Sequence, residues 1–252
     1  MYRQLARLSL IPLSHLMRIP AFEKGAKALE AFLAALSGRG AGSGWNHKQQ
    51  IQAILNQVPL REGMVILDVG GNNGKWSQSI YKQVSDHMPE FHIFECAPYC
   101  FDHLEKNTRN MKNVSIVKKA VSKDSGYATL NVPILPSGTG SGLASLHRRE
   151  ESSIAQHSYE EICVEKVSLD EYIKQAGIEH VDLLKVDVEG HEPAVFEGAL
   201  STLRSKTSVV TFEFGSGNVN SRTFFATFGN YLMISILSCI EFCRVECRVE
   251  YC

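Results

Sequence analysis

No stretch of this chain approaches the ~20 consecutive apolar residues that a membrane-spanning helix needs. An excess of either charge is also missing, with 26 Lys and Arg against 27 Asp and Glu. Without a basic surplus, nothing in the composition marks a chain built to hold nucleic acid, and nucleic acid is not an expected partner. Residues 1–20 show neither the apolar core nor the small-residue cleavage site of a secretory signal. Seven cysteines make an odd count, and without an export signal they offer no disulfide framework. These absences lead to the expectation of a soluble, cytoplasmic protein. What is present, a 44% apolar share in 252 residues, suffices for a sizeable core.

The chain divides by composition into three parts. The first part, 1–44, reads as helical over its first 37 residues, with Leu5, Leu8, Leu13, Leu16 and Met17 as an apolar stripe that Pro12 and Pro20 interrupt. Arg3, Arg7, Arg18, Lys24, Lys27 and Arg39 face only Glu23 and Glu30, so weak contact with anionic lipid stands beside the favoured reading of a helical lid. A glycine-rich linker, Gly38 to Gly44, closes this part. Residues 45–231 alternate between apolar runs and helical periodicity. Strands are expected at 64–69, 91–95, 114–121, 181–188 and 208–214, and helices at 45–58, 75–88, 99–111, 169–176, 192–205 and 222–231. That alternation predicts an α/β fold, a mostly parallel sheet with helices on both faces. Residues 127–164 break the rhythm and read as a long loop, a lid or substrate wall, in which His147, Arg148 and Arg149 could meet an anionic or sugar-bearing substrate. The third part, 232–252, is cysteine-rich and repeats Cys243-Arg244-Val245-Glu246 at once as Cys247-Arg248-Val249-Glu250, as a frameshift or early stop would leave it. Cys239, Cys243 and Cys247 share helical spacing, but zinc sites favour closer pairs, so no metal is expected there.

The most informative segment is Val65-Ile66-Leu67-Asp68-Val69-Gly70-Gly71-Asn72-Asn73-Gly74, followed by a helix with Trp76, Ile80 and Val84 on one face. Strand, glycine loop and helix N-terminus together present bare backbone N–H groups to the head of a nucleotide-like ligand. A dinucleotide would need G-x-G-x-x-G, whereas Asn72 holds the third loop position and the strand ends in Asp68. A carboxylate there repels a pyrophosphate and suits a ligand carrying an ammonium and a sulfonium. S-adenosyl-L-methionine is such a ligand, and methyl transfer is the chemistry it implies.

Ligands of open parallel sheets lie beyond the carboxyl ends of the strands. The second strand ends at Glu95, near the spacing at which a carboxylate meets ribose hydroxyls. The fourth ends in Asp187-Val188-Glu189-Gly190-His191-Glu192, where Asp187, Glu189 and His191 are candidate bases, Asp187 foremost. Glu192 reads as a helix cap. The carboxylates would also suit Mg²⁺ or Ca²⁺, and the metal-free reading is the one adopted.

These residues resemble the FkbM family of S-adenosylmethionine-dependent O-methyltransferases. The likeness rests on Ile66 to Gly74, Phe94-Glu95-Cys96-Ala97-Pro98, Ala120-Val121-Ser122, Val181 to Glu192 and Phe212-Glu213-Phe214-Gly215, across about residues 60–225. It implies a Rossmann-like class I methyltransferase fold and a hydroxylated small-molecule acceptor such as a sugar or polyketide. It also implies roles: Gly70, Asn72 and Gly74 at the methionine end of the cofactor, Glu95 at the ribose, Ala120 to Ser122 along the adenine, and Asp187 and Glu189 at the reaction centre. Such enzymes add an antiparallel strand pair after the fifth strand, and residues 232–252 lack its glycine-turned pattern. A bare edge at the fifth strand, poor solubility and a degenerate cofactor-binding protein are therefore the competing expectation.

Overall fold

A helix, His47–Leu55 (α1), leads into Val65–Val69 (β1), and all five residues of β1 are buried. A strand covered on both faces needs apolar residues at successive positions, which is why Val65-Ile66-Leu67 reads as an unbroken run. The computed structural model describes residues 47–135, 138–139, 144–146, 158–212 and 241–244. The N-terminal segment, the linker, the helix expected at 222–231, Glu213 and His147 to Arg149 lie outside them.

From β1 the chain runs through Lys75–Val84 (α2), Glu90–Phe94 (β2), Phe101–Thr108 (α3) and Val114–Val117 (β3). After the short strands and hairpin described below come Leu169–Ala176 (α4), Val181–Val186 (β8), Glu192–Glu197 (α5), Leu200–Ser205 (α6) and Thr207–Phe212 (β9). The sheet order is β3-β2-β1-β8-β9, all parallel, with Glu241–Arg244 (β10) added beyond β9. Alternate residues of each strand feed opposite faces. Ile66, Ile93 and Leu183 pack with Ile51, Ile80 and Leu104 on one face. Leu67, Phe94 and Leu184 pack with Ile173, Phe196 and Leu203 on the other. The chain steps outward from β1 in one direction and then from β8 in the other, so the strand order reverses between them. A cleft opens there at the carboxyl ends.

Several expectations need correction. Residues 127–164 are not one loop. Ala120–Val121 (β4), Gly126–Leu135 (β5), Gly138–Thr139 (β6) and Tyr159–Val167 (β7) form a second sheet in the order β4-β7-β5-β6. Leu130, Val132 and Val164 are buried in its core, and the polar residues between them hide this alternation in the sequence. The strand expected over 114–121 splits, because β3 joins the large sheet and β4 the small one. The helix expected over 192–205 breaks at Gly198-Ala199, and Asp170 caps the second piece by accepting from the Ser201 and Thr202 amides. The edge of β9 is not bare, since Glu241–Arg244 pairs antiparallel with Val209 to Phe212.

His92 is buried in β2, with Nδ1 2.8 Å from the Tyr172 hydroxyl and Nε2 2.9 Å from Glu90. Burial lowers its pKa from 6.5, outweighing the opposing pull of Glu90. A depressed imidazole contributes stability that is present above the unfolded pKa and lost as pH falls through the lower folded value. The melting temperature is expected to drop as pH falls below about 6.5, and to drop less in His92→Gln. Equal slopes in the two proteins, measured by thermal melts across that range, would exclude His92 as the source.

Candidate functional site

The glycine loop is tied to the end of β2, because the Gly70 and Gly71 amides both donate to the Phe94 carbonyl, at 3.0 and 2.9 Å. Gly70 has φ +80°, and a Cβ there would lie 1.9 Å from the Asp187 carbonyl oxygen. Only a residue without a side chain lets the loop approach the end of β8 this closely. Asn72 also takes a left-handed conformation, φ +49°, and turns its N–H to Glu95 at 2.7 Å. Gly74 is the N-cap of α2, but its missing Cβ faces the Leu104 side chain at 2.8 Å. It seats the helix against α3 and does not line the cleft.

The structure also places Asp68 behind the loop. It is 0% exposed, its Oδ2 accepts from the Ser77 hydroxyl at 2.6 Å, and its Oδ1 lies 3.0 Å from Lys185 Nζ. Asp68 and Lys185 are register partners on adjacent parallel strands, which brings the two charges together. The same ammonium donates to the Gly70 carbonyl at 2.8 Å and lies 3.4 Å from Asp187 Oδ2. Burial alone pulls the Lys185 pKa down, but Asp68 and Asp187 outweigh it and the pKa is pushed up to about 12. Lys185 was not among the expected site residues. A lysine inside a strand buried at every position was the available signal.

Glu95 follows β2 and is buried at the wall of the cleft. One oxygen accepts from the Cys96 and Ala97 amides at 2.8 and 2.7 Å, and the other from Asn72. Burial raises its pKa, and these backbone donors oppose the rise. Beside it, the Cys96 thiol is raised to about 12, by burial first and then by the Glu95 charge, so it is a protonated wall residue and no nucleophile. Ala120 and Val121 supply an apolar flank, and both are buried.

The opposite wall is the turn after β8. Asp187 keeps a side chain that is 38% exposed. Glu189 sits at φ +56° and Gly190 at φ +100°. A left-handed glutamate is costly, by ~1–3 kcal/mol, and must be held by its surroundings. Two neighbours do so: the Ser145 hydroxyl donates to the Glu189 carbonyl at 3.0 Å, and Glu192 Oε1 accepts from the Val188 and Gly190 amides at 3.1 and 3.2 Å. Glu192, read from the sequence as a helix cap, is thus the buried organiser of this turn. His191 is buried, with Nε2 3.0 Å from the Ser122 hydroxyl. The cleft therefore brings together Gly70, Asn72 and Glu95 with Ala120, Val121, Asp187, Glu189 and His191, and leaves Asp68 and Gly74 behind it. Ser145 and Lys119 join the lining without having been foreseen. Among the described residues, no group of three or more His, Cys, Asp or Glu side chains is gathered to hold a metal ion, and no helix is long and apolar enough to cross a membrane.

A family model described as the methyltransferase FkbM domain matches residues 68–235. Among solved structures, the FkbM methyltransferase of Methylobacillus flagellatus is 10% identical, with a TM-score of 0.41; the match covers 63% of this chain and 34% of that one. The chain thus spans about a third of that relative's length. Aeropyrum pernix fibrillarin, solved with natively bound S-adenosyl-L-methionine, is 14% identical over 79% of this chain and 76% of its own, with a TM-score of 0.43. Precorrin-6y C5,15-methyltransferase from Geobacter metallireducens is 10% identical over 75% and 73%, also at 0.43. No curated protein matches the chain. The parallel strand order, with its antiparallel edge, is that of a Rossmann-like class I methyltransferase.

Proposed function

The chain belongs to the FkbM methyltransferase family, and from that premise we propose that it is an S-adenosyl-L-methionine-dependent O-methyltransferase acting on a hydroxyl of a small molecule, sugar or polyketide-type metabolite. One observation carries this reading. Asp187 and Glu189, both partly exposed, converge on the cleft that also holds the glycine loop and Glu95.

The residues present suit such a donor. Asp187 and Glu189 complement a cationic sulfonium and ammonium. Glu95 keeps acceptor capacity for ribose hydroxyls after its three backbone bonds. Ala120 and Val121 offer an apolar flank to adenine. Gly70 and Asn72 present backbone to the methionine end, while Gly74 and Asp68 act from behind, through helix packing and through Lys185.

The bound donor supplies an electrophilic methyl group on a positively charged sulfur: the acceptor oxygen forms the new C–O bond as the C–S bond breaks and its electron pair returns to sulfur. The protein aligns the partners, and alignment of this kind recovers ~7–11 kcal/mol of barrier. Asp187 takes the hydroxyl proton. Glu189 lines the reaction centre, and His191, held by Ser122, is the second candidate for the proton.

Calorimetric titration with S-adenosylhomocysteine, run beside a thermal melt, tests the reading. Micromolar binding is expected, with a stabilisation of ~2.7 kcal/mol at a hundredfold excess over Kd. Labelled methyl groups should then appear on a hydroxylated acceptor. Absence of binding by a cooperatively melting protein sinks the proposal, and binding without transfer to any hydroxylated acceptor favours the degenerate cofactor-binding protein.

A further inference from the structure

A buried ion pair is weak evidence for stability, because desolvation offsets much of its attraction. The Lys185–Asp68 pair therefore calls for another explanation, and its geometry supplies one. Lys185 Nζ reaches three separate segments: the end of β1 through Asp68 at 3.0 Å, the glycine loop through the Gly70 carbonyl at 2.8 Å, and the turn after β8 through Asp187 at 3.4 Å. Asp68 neutralises the ammonium from inside, while Asp187 alone of the three partners extends a partly exposed carboxylate to the cleft. Trp76 closes another side, its ring centroid 5.7 Å from the nitrogen. No other described cation joins these segments by a direct contact that the structure shows.

We infer that Lys185 is a positioning residue that locks the glycine loop and the Asp187 carboxylate into one rigid unit, with Asp68 as its internal counter-ion. It touches neither donor nor acceptor and acts through Gly70 and Asp187. The functional half of this inference rests on the methyltransferase reading; the structural half does not.

Lys185→Met alone leaves Asp68 buried without its partner and is expected to unfold readily. The informative protein is the double variant Asp68→Asn with Lys185→Met, which removes both charges together. Its melting temperature is expected to return close to the parent value. Hydrogen exchange then decides the matter without any ligand. The Gly70 and Gly71 amides, which donate to Phe94, and the Asp187 amide, which donates to Val69, should lose about tenfold or more of their protection. Amides of the β5–β7 hairpin should keep theirs. Parent-level protection of the three amides in a double variant with restored melting temperature overturns the inference. S-adenosylhomocysteine titration adds the functional arm, in which the double variant should bind about tenfold or more weaker than the parent. Parent-like affinity in the double variant also overturns it. If the parent itself binds none, the methyltransferase reading fails, and the exchange result still decides the role of Lys185.

Discussion

Gly70→Ala is expected to abolish measurable S-adenosylhomocysteine binding and to destabilise the protein by about 3 kcal/mol or more. Two effects combine. At φ +80° a side chain is strained whatever its surroundings, and here the added Cβ would sit 1.9 Å from the Asp187 carbonyl oxygen. That oxygen belongs to backbone whose own N–H is bonded to Val69 at 3.0 Å, so it has no flexible end that could swing aside. The loop must instead lift away from β8, which breaks the bond from Lys185 to the Gly70 carbonyl and parts the loop from Asp187. Gly177→Ala is the control. Its φ is +68°, yet nothing lies within 4 Å of the added methyl, so only conformational strain of ~1 kcal/mol remains and binding should be untouched. Denaturant melts and calorimetry on both variants measure the difference. Equal losses in the two would show that the contact with Asp187 does not matter.

The sequence made the parallel sheet legible because its central strands, β1, β2 and β8, are buried on both faces, read as mostly apolar runs and end in glycine or acid. The second sheet was hidden for the opposite reason. In β5, Leu130 and Val132 face a core while Tyr127 and Thr129 stay exposed, and the neighbouring glycines and polar residues dilute a pattern already at half strength. For the candidate site, Glu95 and Asp187, both expected from strand ends, line the cleft, because in this topology strand ends and cleft are the same place. Asp68 shows where such reasoning stops. An acid near the end of β1 looks available to a cationic ligand until the register with β8 sets Lys185 opposite it. The register is a tertiary fact, as is the reach of Ser145 to the Glu189 carbonyl across 44 positions of sequence.

Asp187→Asn is expected to reduce methyl transfer by ~10²- to 10⁴-fold, the usual worth of a positioned general base, while changing S-adenosylhomocysteine affinity only a few-fold. The substitution conserves shape and removes one charge. Lys185 keeps its two remaining contacts, Asp68 and the Gly70 carbonyl, so the loop that meets the methionine end stays in place. What disappears is a carboxylate that is 38% exposed at the cleft and able to accept a proton. His191 is less well placed for that role, being buried with its Nε2 already engaged by Ser122 at 3.0 Å. Glu189 could substitute in part, and Glu189→Gln should then deepen the loss in the Asp187→Asn background by more than it lowers transfer in the parent. Measuring transfer and affinity on the same preparations separates the two roles. If affinity falls in step with turnover, Asp187 binds the donor, and the proton must go to Glu189 or His191.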